Sequence, residues 1–217
     1  VFRDNTNDPS STRPRPWNAH VQTTLRTTLP APSTTLAANN ACYDIGHLFG
    51  AAGGGGHAGC MGCVCGDDTA STTDLHKGAG ITSPADGIPM GDNFDIDYVV
   101  HEVGHQLGGN HTFSNNSEGT GVNMEIGSGV TIMGYAGITS QDIAPHSIAR
   151  FHAATIAQIQ SNLGTKTCPV STSLAGNNAT PAANAGLDYT IPISTPFILT
   201  GSANDADPGD ALTYCWE

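Results

Sequence analysis

The strongest constraint on this chain is the run His101-Glu-Val-Gly-His105-Gln-Leu-Gly-Gly-Asn-His111. Histidines four apart on a helix project from one face, so His101 and His105 can grip a single ion, with Glu102 turned off that line but bordering it. Two imidazoles do not complete a tetrahedral site. Gly108 offers a place to leave the helix, because glycine tolerates φ > 0, and His111 then falls where it can turn back as a third ligand. Three protein ligands with one open position is the arrangement of catalytic zinc, whereas structural zinc is closed by four. The alternative is a helix surface carrying solvated histidines. Against it stand the apolar neighbours Tyr98, Val99, Val100, Val103 and Leu107: they predict a partly buried helix, where imidazoles without partners are costly.

Around that helix the pattern predicts strands mixed with a few helices, an α/β (α+β) domain. A polar, proline-bearing opening through Trp17 reads as irregular, and residues 18–29 as a short helix ended by Pro30. Residues 42–49 read as a buried strand. Gly53 to Gly56 cannot form a helix interior, because four glycines cost too much backbone entropy, and they read as a flexible turn. The turn leads into a small-residue edge strand over 57–65, and 78–83 is a further strand. Asp92, Asp95 and Asp97 read as acidic caps of the helix that runs to Gly108. A glycine-rich loop over 114–129 leads into 130–135. The last helix is predicted over 146–163, with Ile148, Phe151, Ile156 and Ile159 near helical spacing.

Composition limits the partners. The 217 residues suffice for one core and a short second element. The net charge is −12, and Lys77 and Lys166 are the only lysines, which argues against nucleic acid or an anionic membrane as partner. No apolar run is long enough to span a bilayer. The chain starts polar, with no signal peptide, so for an exported protein the expectation is that the targeting segment has been removed. Six cysteines are present: Cys42, Cys60, Cys63 and Cys65, then the isolated Cys168 and Cys215. A zinc ribbon would need a second Cys-x-x-Cys downstream, and none follows. Disulfides are the favoured reading, and with them an oxidising, extracellular setting. Asp67 and Asp68, and Asp92, Asp95 and Asp97, are candidate Ca2+ ligands, with helix caps and solvated loops as the alternative. His47, His57, His76, His146 and His152 lie outside any motif and read as packed or solvated.

The run 101–111 resembles the zinc-binding signature of the metzincin metallopeptidases. Thr131-Ile-Met-Gly-Tyr135 resembles their Met-turn, which would put Met133 beneath the metal. Upstream, the likeness is to the reprolysin (adamalysin) family: residues 43–49 resemble its third strand and 57–65 its substrate-binding edge strand. Cys168 stands where that family's partner cysteine follows the last helix. The resemblance covers about 43–168. It implies a metzincin-type zincin fold, with a mixed twisted sheet, an active-site helix and a C-terminal helix, in a secreted, monomeric endopeptidase that uses Zn2+. It further implies His101, His105 and His111 as ligands, Glu102 as general base, a Cys65–Cys168 disulfide, and protein or peptide substrates lying extended along the edge strand. Cys42 is then expected to pair with Cys60 or Cys63. The competing functions are a catalytically silent binding or adhesion module, which would lack the base that Glu102 supplies, and a zinc hydrolase of non-peptide amides.

The sequence departs from the reprolysin pattern at two places. Thr112 follows the third histidine where reprolysins carry Asp, and Tyr135 stands where they carry Pro. Astacins and serralysins have tyrosine at the latter place, which makes Tyr135 a candidate zinc ligand or oxyanion donor, the alternative being packing in the wall of the loop 135–145. The first strand and helix of such a domain are not recognisable in the opening residues. After 170 the composition shifts. Residues 171–186 read as a linker, with 1–170 as the catalytic domain and 187–217 as the start of a β module. Strands are expected at 189–193, 197–200 and 212–216. Gly201-Ser-Ala-Asn-Asp-Ala-Asp207 and Leu212-Thr-Tyr214 resemble the first half of a PKD-type immunoglobulin-like module. Half a β-sandwich cannot close its core, so the expectation is a processed piece of a longer precursor.

Overall fold

The structure, a computed structural model, describes residues 14–29, 35–71, 73–173 and 178–216. The chain divides into two compact units, Val1–Pro169 and Val170–Glu217. In the first, helix α1 (Pro14–Thr28) and the short α2 (Leu36–Asn40) precede strands β1 (His47–Phe49), β2 (Gly55–His57) and β3 (Gly80–Ser83). A π-helical segment (Asn93–Val100) then runs directly into α3 (His101–Leu107), and α4 (Ala153–Leu163) closes the unit. This is the mixed α/β architecture expected.

The sheet has the order β1-β3-β2, with β1 parallel and β2 antiparallel to β3. Strand side chains alternate between faces, and here the two faces have different tasks. Leu48 and Ile81, paired in register, meet Trp17 and Val21, which lie four apart on α1 and so share one helix face. The opposite face carries His47 and Phe49. His47 holds Gln106 of α3 through Nδ1 (2.8 Å) and Thr82 through Nε2 (2.8 Å), while Phe49 packs edge-on against Phe94 at 5.7 Å. Gln106 is fully buried and also donates to the carbonyls of Gly46 (3.1 Å) and Lys77 (3.4 Å). One amide thus bolts the helix of the histidine motif to the sheet.

Several expected boundaries move. Helix α1 begins at Pro14 rather than residue 18, because prolines in a first turn forfeit no helical hydrogen bond; residues 1–13 of the supposedly irregular opening lie outside the described residues. The strand expected over 42–49 is confined to His47–Phe49. Gly55 and Gly56, read as turn, form most of β2, and the edge strand stops at His57. Beyond it Gly59 (φ 79°), Gly62 (φ 64°) and Cys65 (φ 61°) adopt left-handed backbone that a ladder does not accept. The last helix starts at Ala153, with the His152 ring accepting from Ala154 N as its cap, not at 146.

The cysteines pair only in part as expected. Cys65 is bonded to Cys168, but Cys60 bridges to Cys63, their Cα atoms 5.8 Å apart in one turn. Cys42, expected to take one of that pair, is free and exposed, as is Cys215. In the second unit, β4 (Ala182–Asn184) pairs antiparallel with β5 (Ser202–Asn204), so the expected linker contains a strand. No strand forms at 189–193, 197–200 or 212–216. Pro192 falls inside the first of these and Pro196 directly before the second, and proline donates nothing to a ladder. No helix among the described residues is long and apolar enough to cross a membrane.

The Cys65–Cys168 bond closes a loop with a sequence separation of 103. The chain-entropy value for such a loop is about 4–5 kcal/mol. Replacing both cysteines by serine is expected to lower the unfolding free energy by that order in urea titration, with Cys60–Cys63 intact; an unchanged midpoint would show that the closure contributes nothing.

Candidate metal centre

Helix α3 ends at Gly108, whose φ of 114° is the left-handed conformation its sequence position suggested. The carbonyls orphaned at a helix end must be satisfied, and here distant segments do it. Gly62 N reaches His105 O (2.9 Å), Val64 N reaches Gln106 O (3.2 Å), and Asn162 Nδ2 on α4 reaches Leu107 O (2.8 Å). Gly108 N and Gly109 N both donate to Gly104 O (3.1 and 2.8 Å), turning the chain back towards residue 111.

The turn brings three imidazoles together. His105 Nε2 lies 3.1 Å from His101 Nε2 and 3.0 Å from His111 Nε2. Their other nitrogens define the tautomers. His101 Nδ1 donates to Ile132 O and His105 Nδ1 to Gly109 O, both at 2.7 Å, while His111 Nδ1 faces the two carboxylate oxygens of Glu118 at 3.0 and 3.1 Å. Carbonyls and carboxylates only accept, so each Nδ1 carries a proton, and the three Nε2 atoms converge on one point. Burial, reinforced by the neighbouring histidines, pushes His101 down to about 3 and His105 to about 4, which keeps both neutral. Three imidazoles with convergent Nε2 atoms fit a nitrogen-ligated divalent metal such as zinc, and this trio is a group that could hold one.

Glu102 is buried beside the trio, its carboxyl pushed up to about 8 by burial against a lowering hydrogen bond from the Ala58 backbone. Gly56 of β2 makes the room: a Cβ there would fall on that carboxyl. Met133 is fully buried under α3, and a Cβ on Gly104 would stand 2.6 Å from its sulfur. The Tyr135 ring lies 4.5 Å from His111 and 5.6 Å from His101. Burial first, then the charges of Glu102 and Glu118, push its hydroxyl up to about 12, so the phenol stays protonated. Two cavities share Glu102 and Tyr135: one of about 440 Å³ reaching Tyr98, Ile138 and Pro145, the other of about 280 Å³ along His57, Ala58 and Met61.

The structure therefore brings His101, Glu102, His105, His111, Met133 and Tyr135 to one place. The acidic runs are engaged with other partners, though Asp97 lines the larger cavity. Asp67 pairs with Lys77 (3.2 Å), buried Asp68 accepts from Gln22 (3.0 Å), and Asp92 makes no capping bond. Asp97 accepts from Ser147 N (2.8 Å) and faces His146 (3.0 Å). Sequence reading missed Gln106, Glu118 and Glu125. The last accepts from the hydroxyls of Thr112 and Thr131 and from Val130 N (2.9 Å) and Thr131 N (3.0 Å), joining the residue after the third histidine to the turn that carries Met133. The available signal was that Glu118 and Glu125 are the only charged residues of the loop 114–129.

The family model described as metallo-peptidase family M12B, reprolysin-like, matches residues 3–163. No curated protein and no solved structure matches the chain.

Burial alone would raise the Glu125 carboxyl, but the donors from Thr112 and Thr131 and from the backbone of Val130 and Thr131 outweigh it and hold the group below its ordinary value of 4.5. A depressed carboxylate contributes stability that is complete above its unfolded pKa and is lost as pH falls through the folded one. Between about pH 6 and pH 3, wild type is expected to lose more of its urea midpoint than Glu125→Gln. Equal losses would show that Glu125 is not what couples this loop to acid.

Proposed function

The chain belongs to the reprolysin-like metallopeptidases of family M12B, and from there we propose that it is a secreted zinc endopeptidase with Glu102 as its general base. The observation that carries this reading is the convergence of three imidazole Nε2 atoms beside a buried carboxyl. His101, His105 and His111 would hold the metal. Bound zinc supplies Lewis-acid polarisation of water and of the scissile carbonyl. Glu102 takes a proton from the attacking water and hands it to the leaving amine. Glu102 stands buried beside the three histidines, within the cavity that would receive the scissile bond, where one carboxyl can both accept and return the proton.

The substrate backbone lies along β2. Among the described residues β2 pairs only with β3, and its other edge offers main-chain hydrogen bonds to an extended peptide. The two cavities flanking Glu102 receive side chains on either side of the cleaved bond. The Cys60–Cys63 and Cys65–Cys168 bridges support an oxidising, extracellular setting. A silent binding module is disfavoured because the base is present and buried at the metal position. In the second unit, the pairing of Ser202–Asn204 within the run that resembles a PKD-type module supports a β module there.

Tyr135 serves as an oxyanion donor: its ring packs edge-on against His111 at 4.5 Å, it lines both cavities beside Glu102, and its phenol keeps its proton. Tyr135→Phe is expected to cost about 3–4 kcal/mol in kcat with little change in KM. Unchanged kinetics would reduce it to packing in the cleft wall.

Glu102→Ala is expected to bind zinc and fold as wild type does while losing roughly 10²–10⁴-fold in turnover of a peptide substrate. Phenanthroline is expected to abolish wild-type activity, and added zinc to restore it. A fully active Glu102→Ala enzyme would sink the mechanism.

A further inference from the structure

Two of the three imidazoles are pinned by the backbone next to them, through Ile132 O and Gly109 O. His111 is held differently. It lies beyond the end of α3, and its Nδ1 meets a carboxylate from a separate loop, with both Glu118 oxygens within 3.1 Å. Thr112, directly after it, turns its hydroxyl to Glu125 instead.

The loop is built to deliver that carboxylate. Asn123 Nδ2 donates to His111 O (3.2 Å) and Phe113 O (2.9 Å), while Asn123 Oδ1 accepts from Glu118 N (3.1 Å) and Thr120 Oγ1 (3.3 Å). A single side-chain amide therefore grips the backbone of the third histidine and the backbone of the glutamate that meets its ring. The proton transfers assigned to Glu102 make no use of a second carboxylate at this place. What Glu118 does add is a carboxylate acceptor behind the His111 ring, which holds the ring's orientation and makes Nδ1 the protonated nitrogen, leaving Nε2 as the one directed at a metal.

We infer that Glu118 is a positioning residue for the third metal ligand, and that residues 118–123 form a clamp, locked by Asn123, that sets the affinity for zinc. The inference rests on the zinc reading above and adds to it a device that the histidine motif does not contain. Glu118 acts on the metal only through His111, so its removal is read first in affinity and coordination geometry and only then in turnover.

The test is zinc affinity of the full chain, measured by competition with a coloured chelator, for wild type, Glu118→Gln and Glu118→Ala. The visible spectrum of the cobalt-substituted proteins and the melting midpoint of the metal-free ones accompany it. Glu118→Ala is expected to weaken zinc binding by about 10–100-fold and to shift the cobalt bands, while the metal-free midpoint stays near wild type. Glu118→Gln, which keeps an acceptor for Nδ1–H without the charge, is expected to fall between. Wild-type affinity and an unshifted cobalt spectrum in Glu118→Ala would overturn the clamp. If the alanine variant melts early without metal, the glutamine variant decides: affinity equal to wild type overturns the inference, and a loss upholds it. A wild-type chain that takes up no zinc would overturn the metallopeptidase reading and the clamp with it, whereas zinc uptake that the substitutions leave unaltered would overturn the clamp alone.

Discussion

Three imidazoles converge through their Nε2 atoms, His105 standing 3.1 Å from His101 and 3.0 Å from His111, a packing that a cation between them would favour. Much of the first unit can be understood as the apparatus that holds them there. Each ring is tethered at its far nitrogen by an acceptor: a carbonyl from the turn that carries Met133, a carbonyl from the glycine turn after α3, and a carboxylate from the loop beyond. These tethers come from three separate stretches of chain, so the site exists only when all three are folded together. Fixing the outer nitrogens is also what makes the inner ones good donors.

That helix needs an equally firm seat. Gln106 supplies it on one side by joining α3 to the sheet through His47, Gly46 and Lys77. The end of the helix is held from the other side by the backbone of Gly62 and Val64 and by Asn162 of α4. The Cys65–Cys168 bridge then links the segment that satisfies those carbonyls to the chain just beyond α4. His47 takes part as a neutral ring, its pKa lowered by burial, with Nδ1–H donating to Gln106 and Nε2 accepting from Thr82. Buried polar groups are tolerable because every one in this chain of contacts finds a partner.

The legible part of the site was local. The i, i+4 spacing of His101 and His105, and a glycine where the helix must stop, are properties of a few consecutive residues, and the structure places them as that spacing implies. Glu118 and Glu125 were not legible because their roles depend on where a glycine-rich loop folds back, and no periodicity records that. The segment 57–65 looked like a strand because its small residues suit an edge. Its amides instead serve the end of α3, and left-handed backbone at Gly59, Gly62 and Cys65 breaks the extended run. The Cys65–Cys168 pair stands as expected, but the pairing of Cys42 failed for a related reason: Cys60 and Cys63 share one turn, and proximity in a turn is decided by backbone shape rather than by count. In the tail, apolar residues at Ile193 (97% exposed) and Ile198 (88% exposed) suggested strands, but hydrophobicity without a ladder to join makes none.

The glycine tract at the cleft has a consequence for how this protein could be made hardier. Replacing a flexible glycine by alanine commonly stabilises a fold by about 0.4–1 kcal/mol, through the entropy of the unfolded chain. That route is closed here at every position of the tract. Gly53, Gly54 and Gly55 hold φ values of 76°, 106° and 87°, which alanine adopts only under strain, and at Gly56 the methyl would displace the Glu102 carboxyl. The glycines of this edge are thus held in place by left-handed backbone at three positions and by the room the Glu102 carboxyl needs at the fourth. A thermally robust descendant would have to find its extra rigidity outside the cleft, in the helices and loops that the chemistry leaves free to vary.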